Sequence, residues 1–236
     1  MDPLLGFAVS FACVVASVLG VSASAPKFPP RALGGLAVPV AVLAAARAGW
    51  LGLAGVPDFA LVPVAVSLLV AGTLVGATIG GRVQHAGHLS LVAYITSVAD
   101  LASVLAPQGV TAQIVASRPT LAVFAISWAI PGHDALEPIL GVGDVTMTAL
   151  YFLAARNLGL PLRRTWFALL IGYVAVLLVL VVGQRAVPAL PFLGVAFVLA
   201  HPVTFRIRAE DRRAAVLGVV LASAAGAWAV FRAFFA

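Results

Sequence analysis

Asp144 stands in the stretch Gly141-Val142-Gly143-Asp144, a carboxylate set between small residues inside an apolar run that reads as a membrane-spanning helix over 139–155. An ionisable group at that depth costs about 2.5–3.5 kcal/mol on insertion scales and marks a functional site by default. A second carboxylate, Asp100, lies in the second half of another apolar run, 88–106. Successive spans alternate direction, and the piece 121–130 between these two is too short to span. Asp100 precedes the end of its run by six residues and Asp144 follows the start of its own by five. At about 1.5 Å rise per residue both are expected about 8–9 Å in from the same membrane face. The next span returns to that face, where Pro188-Ala189-Leu190-Pro191 begins another.

Two carboxylates at equal depth on neighbouring helices suggest an aspartyl dyad. Like charges a few ångströms apart do not both ionise, so the pair would hold one shared proton near neutral pH. One aspartate then activates water as a base while the other, protonated, polarises a carbonyl. That chemistry hydrolyses a peptide bond with neither metal nor covalent intermediate. Gly141 and Gly143 leave room for a second backbone beside Asp144. Pro188 and Pro191 are expected to keep their segment non-helical, with backbone groups free to pair with an extended peptide. Paired intramembrane acids also bind protons or sodium in carriers, and an inactive scaffold retains them too. From the residues alone these three readings stay open.

The elements that must position these groups follow from composition. Of 236 residues 63% are hydrophobic and 9% charged, against about 25% charged in a soluble domain. Repeated apolar runs of about 20 residues fit a hydrocarbon core about 30 Å thick, and they lack the alternation of a β-barrel. The expectation is an all-α polytopic membrane protein with about eight spans: 3–24, 32–54, 59–79, 88–106, 139–155, 166–183, one from the Pro188 and Pro191 turn to about 203, and 214–235. Three regions are expected: an N-terminal three-helix part (1–84), a part carrying the acids and the proline turn (85–205), and a C-terminal loop with an extra helix (206–236). The more polar stretch 110–138 holds 121–130, read as a strand or re-entrant segment. Gly72, Gly76 and Gly80 form a small-xxx-small series, a close-packing face rather than a nucleotide loop. Ser22-Ala23-Ser24-Ala25 faintly resembles a signal-peptidase site, but Pro26 follows and no basic region precedes, so a retained first helix is expected.

At these residues the chain resembles the presenilin and signal peptide peptidase family of intramembrane aspartyl proteases. Three blocks carry the resemblance, in the family's order: Ser97-Val98-Ala99-Asp100-Leu101-Ala102-Ser103-Val104-Leu105-Ala106-Pro107-Gln108-Gly109, Leu140-Gly141-Val142-Gly143-Asp144, and Pro188-Ala189-Leu190-Pro191. They look like its Tyr-Asp, Gly-x-Gly-Asp and Pro-Ala-Leu motifs, and the resemblance covers about 91–202. It implies a presenilin-like bundle in which Asp100 and Asp144 are the catalytic pair. Gly141, Gly143, Pro188, Ala189, Leu190 and Pro191 would shape the substrate site, and 121–130 would pair with an unwound substrate. Ala99 stands where the family usually has tyrosine, and fewer helices precede Asp100 than in eukaryotic relatives, as in a minimal microbial version. The prepilin peptidases share Gly-x-Gly-Asp but do not account for the Pro-Ala-Leu block.

The net charge of +6 would suggest nucleic acid in a soluble protein. Here the basic residues sit in short loops, where they set orientation and touch anionic lipid headgroups, so no nucleic-acid partner is expected. Arg118, Arg185 and Arg232 fall on the side of the acids. Lys27, Arg31, Arg82, Arg156, Arg163, Arg164, Arg206, Arg208, Arg212 and Arg213 fall on the other. The positive-inside rule puts the latter in the cytoplasm and the face nearer the acids outside it. The expected partners are therefore the bilayer and transmembrane peptide substrates, and a homo-oligomer is allowed. No cofactor is expected. His85, His88, His133 and His201 lack ligand spacing, so no metal site is expected either. Cys13, the single cysteine, is expected as a small buried hydrophobe. Tyr94 and the tryptophans Trp50, Trp128, Trp166 and Trp228 are assigned to packing or the interface, Arg47 to snorkelling, and Glu137 to a solvated loop.

Overall fold

The computed structural model describes residues 3–25, 61–106, 109–116, 121, 124–131, 136–183 and 187–235. The expected span 32–54, with Arg47 and Trp50, lies outside them, as do Arg118, His133 and Arg185. The described chain is mostly helical: α1 (Pro3–Ser24), α2 (Leu61–Gly80), α3 (Ala86–Leu105), the short α4 (Val110–Ala116), strands β1 (Ala125–Ala129) and β2 (Leu136–Gly141), then α5 (Val142–Asn157), α6 (Leu162–Gly183), α7 (Leu190–Ala200), a 3-10 turn (Pro202–Phe205) and α8 (Arg212–Phe235). Among the described residues three helices are long and apolar enough to cross a membrane, over Leu4–Ser24, Ala86–Val104 and Leu162–Gly183.

Two expected spans take another form. The run read as a helix over 139–155 begins as strand β2, and α5 starts only at Val142 and has 16 residues, short of the roughly 20 that cross a bilayer. β1 pairs antiparallel with β2, Ala125 opposite Gly141 and Trp128 opposite Glu137, with a register shift beyond Ile126. The shift accommodates Pro138, which cannot donate to a regular ladder. Glu137 is thus a strand residue rather than a loop acid. The run after Pro188 gives an 11-residue helix, α7, because Pro202 follows directly after its cap at His201.

The chain divides into two compact units, Met1–Gly81 with Ile114–Leu153, and Arg82–Gln113 with Ala154–Ala236. In the first, α1 packs on α2 and on both strands, and the Ser10 hydroxyl donates to the Ala129 carbonyl at 2.8 Å. α2 meets α5 along the glycine series. A Cβ on Gly72 would lie 3.2 Å from Val142 and Val145 side chains, one on Gly80 would meet the Leu150 carbonyl, and one on Gly76 would run into the Thr146 carbonyl. The series is the close-packing face its spacing predicts. Cys13, by contrast, is exposed on α1. An all-round apolar helix has apolar residues on every side, and only part of its circumference meets α2 and the strands.

In the second unit α7 packs between α6 and α3, and α3 also carries α8. Tyr94 does more than pack, for its hydroxyl hydrogen-bonds Ser223 of α8 at 2.7 Å. The Thr165 hydroxyl on α6 meets His201 Nε2 at 2.9 Å, and both residues are buried. Thr165→Val keeps the shape but leaves the imidazole nitrogen unpaired, and a buried polar atom without its partner costs about 1–3 kcal/mol. Thermal unfolding in detergent should show that loss, and an unchanged midpoint would exclude a stabilising role for the contact.

Candidate functional site

Asp100 projects from the second half of α3, half-buried. Its Oδ2 accepts a hydrogen bond from the Leu190 amide at 3.0 Å, and the Ala189 amide also faces the carboxylate. Leu190 is the first residue of α7, whose cap residue, Ala189, has no side chain able to cap it. The first amides of a helix lack intrahelical acceptors, and an acid at that end also meets the positive pole of the helix dipole. Asp100 therefore caps α7 from a neighbouring helix. The structure brings together Asp100 and the Pro188-Ala189-Leu190-Pro191 turn, two of the three sequence blocks.

The turn itself differs from expectation. Pro191 lies in the first turn of α7 rather than in extended backbone, where the missing amide hydrogen costs nothing. The Ala189 carbonyl accepts from the Phe192 and Leu193 amides at 3.1 Å each. Val187 and Pro188 precede the helix without regular structure, and Ala189 is buried. The free backbone expected along the whole motif is thus confined to its first residues, because the helix begins within the motif.

Asp144 is the third residue of α5, in its first turn, not five residues inside a helix as the sequence suggested. Its Oδ2 accepts the Gly141 amide at 3.2 Å. That is the third-position half of a capping box, an acid reaching back to the amide just before its own helix. Gly141 ends β2 opposite Ala125, and a Cβ there would sit 3.3 Å from the Asp144 carboxylate. The glycine at that position therefore makes room first for the aspartate's own side chain. A Cβ on Gly143 would meet nothing within 4 Å. Asp144 and Gly141 belong to the first compact unit, Asp100 and the proline turn to the second.

One positioning residue escaped the sequence reading. Gly194, one helical turn after Leu190, faces α3, where a Cβ would lie 3.2 Å from Ala93 Cβ and from the Ser97 hydroxyl. Its bare backbone lets α7 come close enough to α3 for the Leu190 amide to reach Asp100. The only signal was a glycine within the apolar stretch Phe192-Leu193-Gly194-Val195. Beyond Asp100, α3 ends near Gly109, whose Cβ would strike the Ser103 carbonyl, while Ser103 Oγ meets Thr111 Oγ1 at 2.7 Å and accepts the Thr111 amide at 2.9 Å.

Among the described residues no three His, Cys, Asp or Glu side chains gather as metal ligands. His88 pairs with Asp211 at 3.2 Å, its ring 5.5 Å from that of His85. Comparison with protein-family models, curated proteins and solved structures gives no match.

Proposed function

We propose that the chain is an intramembrane aspartyl endopeptidase, similar to the presenilin and signal peptide peptidase family, whose helices cross the membrane several times. Its substrates are transmembrane or signal-peptide segments. The observation that carries this reading is the Asp100 carboxylate, set in an apolar helix and hydrogen-bonded at 3.0 Å to the first residue of the helix that the Pro-Ala-Leu turn opens. Capping a helix needs no charge, since serine or asparagine serves, whereas a carboxylate set in an apolar helix is costly and points to chemistry beyond the cap. Asp144, at the end of the Gly-x-Gly-Asp block, supplies the second acid. The ionised aspartate takes a proton from water, whose oxygen attacks the scissile carbonyl. The protonated aspartate gives its proton to the carbonyl oxygen. Collapse of the diol breaks the C–N bond, the proton held by the first aspartate going to the leaving amine while one diol hydroxyl returns its proton to the second aspartate, which restores the dyad. The substrate helix must unwind first, since its own hydrogen bonds shield that carbonyl. Charge bias puts the face of the acids outside the cytoplasm.

Purified protein in liposomes with a transmembrane peptide tests the proposal. Two new fragments should form, with one oxygen from labelled water in the new carboxyl terminus, and neither Asp100→Ala nor Asp144→Ala should produce them. Cleavage by either variant at the wild-type rate would sink the dyad. Cation-driven uptake that needs both acids, without cleavage, would make the protein a carrier.

A further inference from the structure

The second unit carries a groove of about 520 Å3 along the first turns of α8, lined by Ala209, Arg212, Arg213, Val216, Leu217 and Val220. Its two halves differ in chemistry. The mouth holds two guanidinium groups one residue apart, and the wall running down the helix is aliphatic. Val216, Leu217 and Val220 are each more than half exposed, so the apolar wall is open along its length.

The acids nearest in sequence are engaged elsewhere. Asp211 meets His88 at 3.2 Å, and Glu210 meets Arg208 at 3.2 Å. Neither Arg212 nor Arg213 has an acid partner among the described residues, so the mouth carries uncompensated positive charge. More of the same sign lies at this end of the unit. Gly87, near the start of α3, packs against the Arg206 carbonyl, which brings the start of α3 and the 206–213 loop together. Two cations above an aliphatic wall match an amphiphile with an anionic head and hydrocarbon tails. Guanidinium binds phosphate in a bidentate fork, and exposed aliphatic surface gains from covering by acyl chains.

We propose that this groove is a binding site for an anionic glycerophospholipid, its phosphate on Arg212 and Arg213 and an acyl chain along Val216, Leu217 and Val220. The site differs from the bulk lipid around the protein in selecting by head-group charge. It rests on the membrane reading of the chain and not on the peptidase chemistry.

Native mass spectrometry of the full chain, released from micelles containing equal phosphatidylglycerol and phosphatidylcholine, reads the site without any cleavage step. Wild type should retain phosphatidylglycerol about tenfold over phosphatidylcholine, given roughly one factor of several per arginine. Arg212→Gln with Arg213→Gln should bring that ratio near one. Arg212→Lys with Arg213→Lys should keep most of it, and Arg232→Gln, in the last turn of the same helix, should keep all of it. If the glutamine variant does not fold, the lysine pair and a Leu217→Asp variant carry the test, the latter losing retention with both arginines present. Equal retention of the two lipids by wild type, or full selectivity in the glutamine variant, overturns the proposal. So does displacement of the lipid by inorganic phosphate at matched concentration, which would make the site one for a free anion.

Discussion

Asp100→Asn is expected to abolish cleavage of a transmembrane peptide while leaving the protein nearly as stable as wild type. The asparagine carbonyl oxygen can still accept the Leu190 amide that Asp100 holds at 3.0 Å, so α7 keeps its cap. What the amide cannot do is take a proton from water or hold one for the substrate carbonyl. General acid–base groups contribute roughly 10²–10⁴-fold, and loss of at least about a thousandfold is expected. Asp100→Ala should be equally inactive but also less stable, by about 1 kcal/mol for the missing cap. Asp144 should behave in parallel, with asparagine able to keep the Gly141 amide at 3.2 Å and alanine losing it. Activity and unfolding midpoints on the same preparations separate the two roles. An asparagine variant that cuts at the wild-type rate would falsify the catalytic assignment and leave a pair of helix caps.

The second large effect lies away from the acids. A Cβ on Gly76 would overlap the Thr146 carbonyl oxygen, with the carbonyl carbon at 2.8 Å and Ala149 Cβ at 2.9 Å. The obstacle is main chain of α5, which cannot rotate away as a side chain can. Overpacking costs about 1–3 kcal/mol where neighbours yield, so Gly76→Val should cost about 3 kcal/mol or more. Gly72→Ala should be milder, because its nearest neighbours are side-chain atoms of Val142, Val145 and Thr146 at 3.2–3.3 Å. Denaturant unfolding in detergent gives both values. Equal effects at the two positions would mean that α2 and α5 separate more freely than their contact implies.

These cases show what can be read from the residues. The glycine series was legible because its four-residue spacing has one meaning in an apolar helix. The long apolar runs α1, α3 and α6 were legible from length alone. The β2–α5 junction was not, since a short apolar run such as Pro138-Ile139-Leu140 has no periodicity that separates strand from helix. That ambiguity moved Asp144 from inside a helix to its first turn. The start of α6 was also missed, for Leu162, Arg163 and Arg164 extend the helix into a polar stretch. At the candidate site, the convergence of Asp100 and the Pro-Ala-Leu turn followed from helix direction. The donor did not, because a backbone amide has no signature in sequence. Nor did Gly194, whose role exists only once α7 lies against α3.

The division of the chain into two interleaved units bears on how it is made. The first unit draws on Met1–Gly81 and again on Ile114–Leu153, with Arg82–Gln113 belonging to the other. During synthesis α2 is finished well before α5 exists, so Gly72, Gly76 and Gly80 wait without the surface they fit. At about 5–20 residues per second that interval is on the order of several seconds, long compared with helix formation. A small-residue face left open for that time is a target for other apolar helices, and how well it is shielded until α5 is made would decide how much of the protein reaches its native pairing.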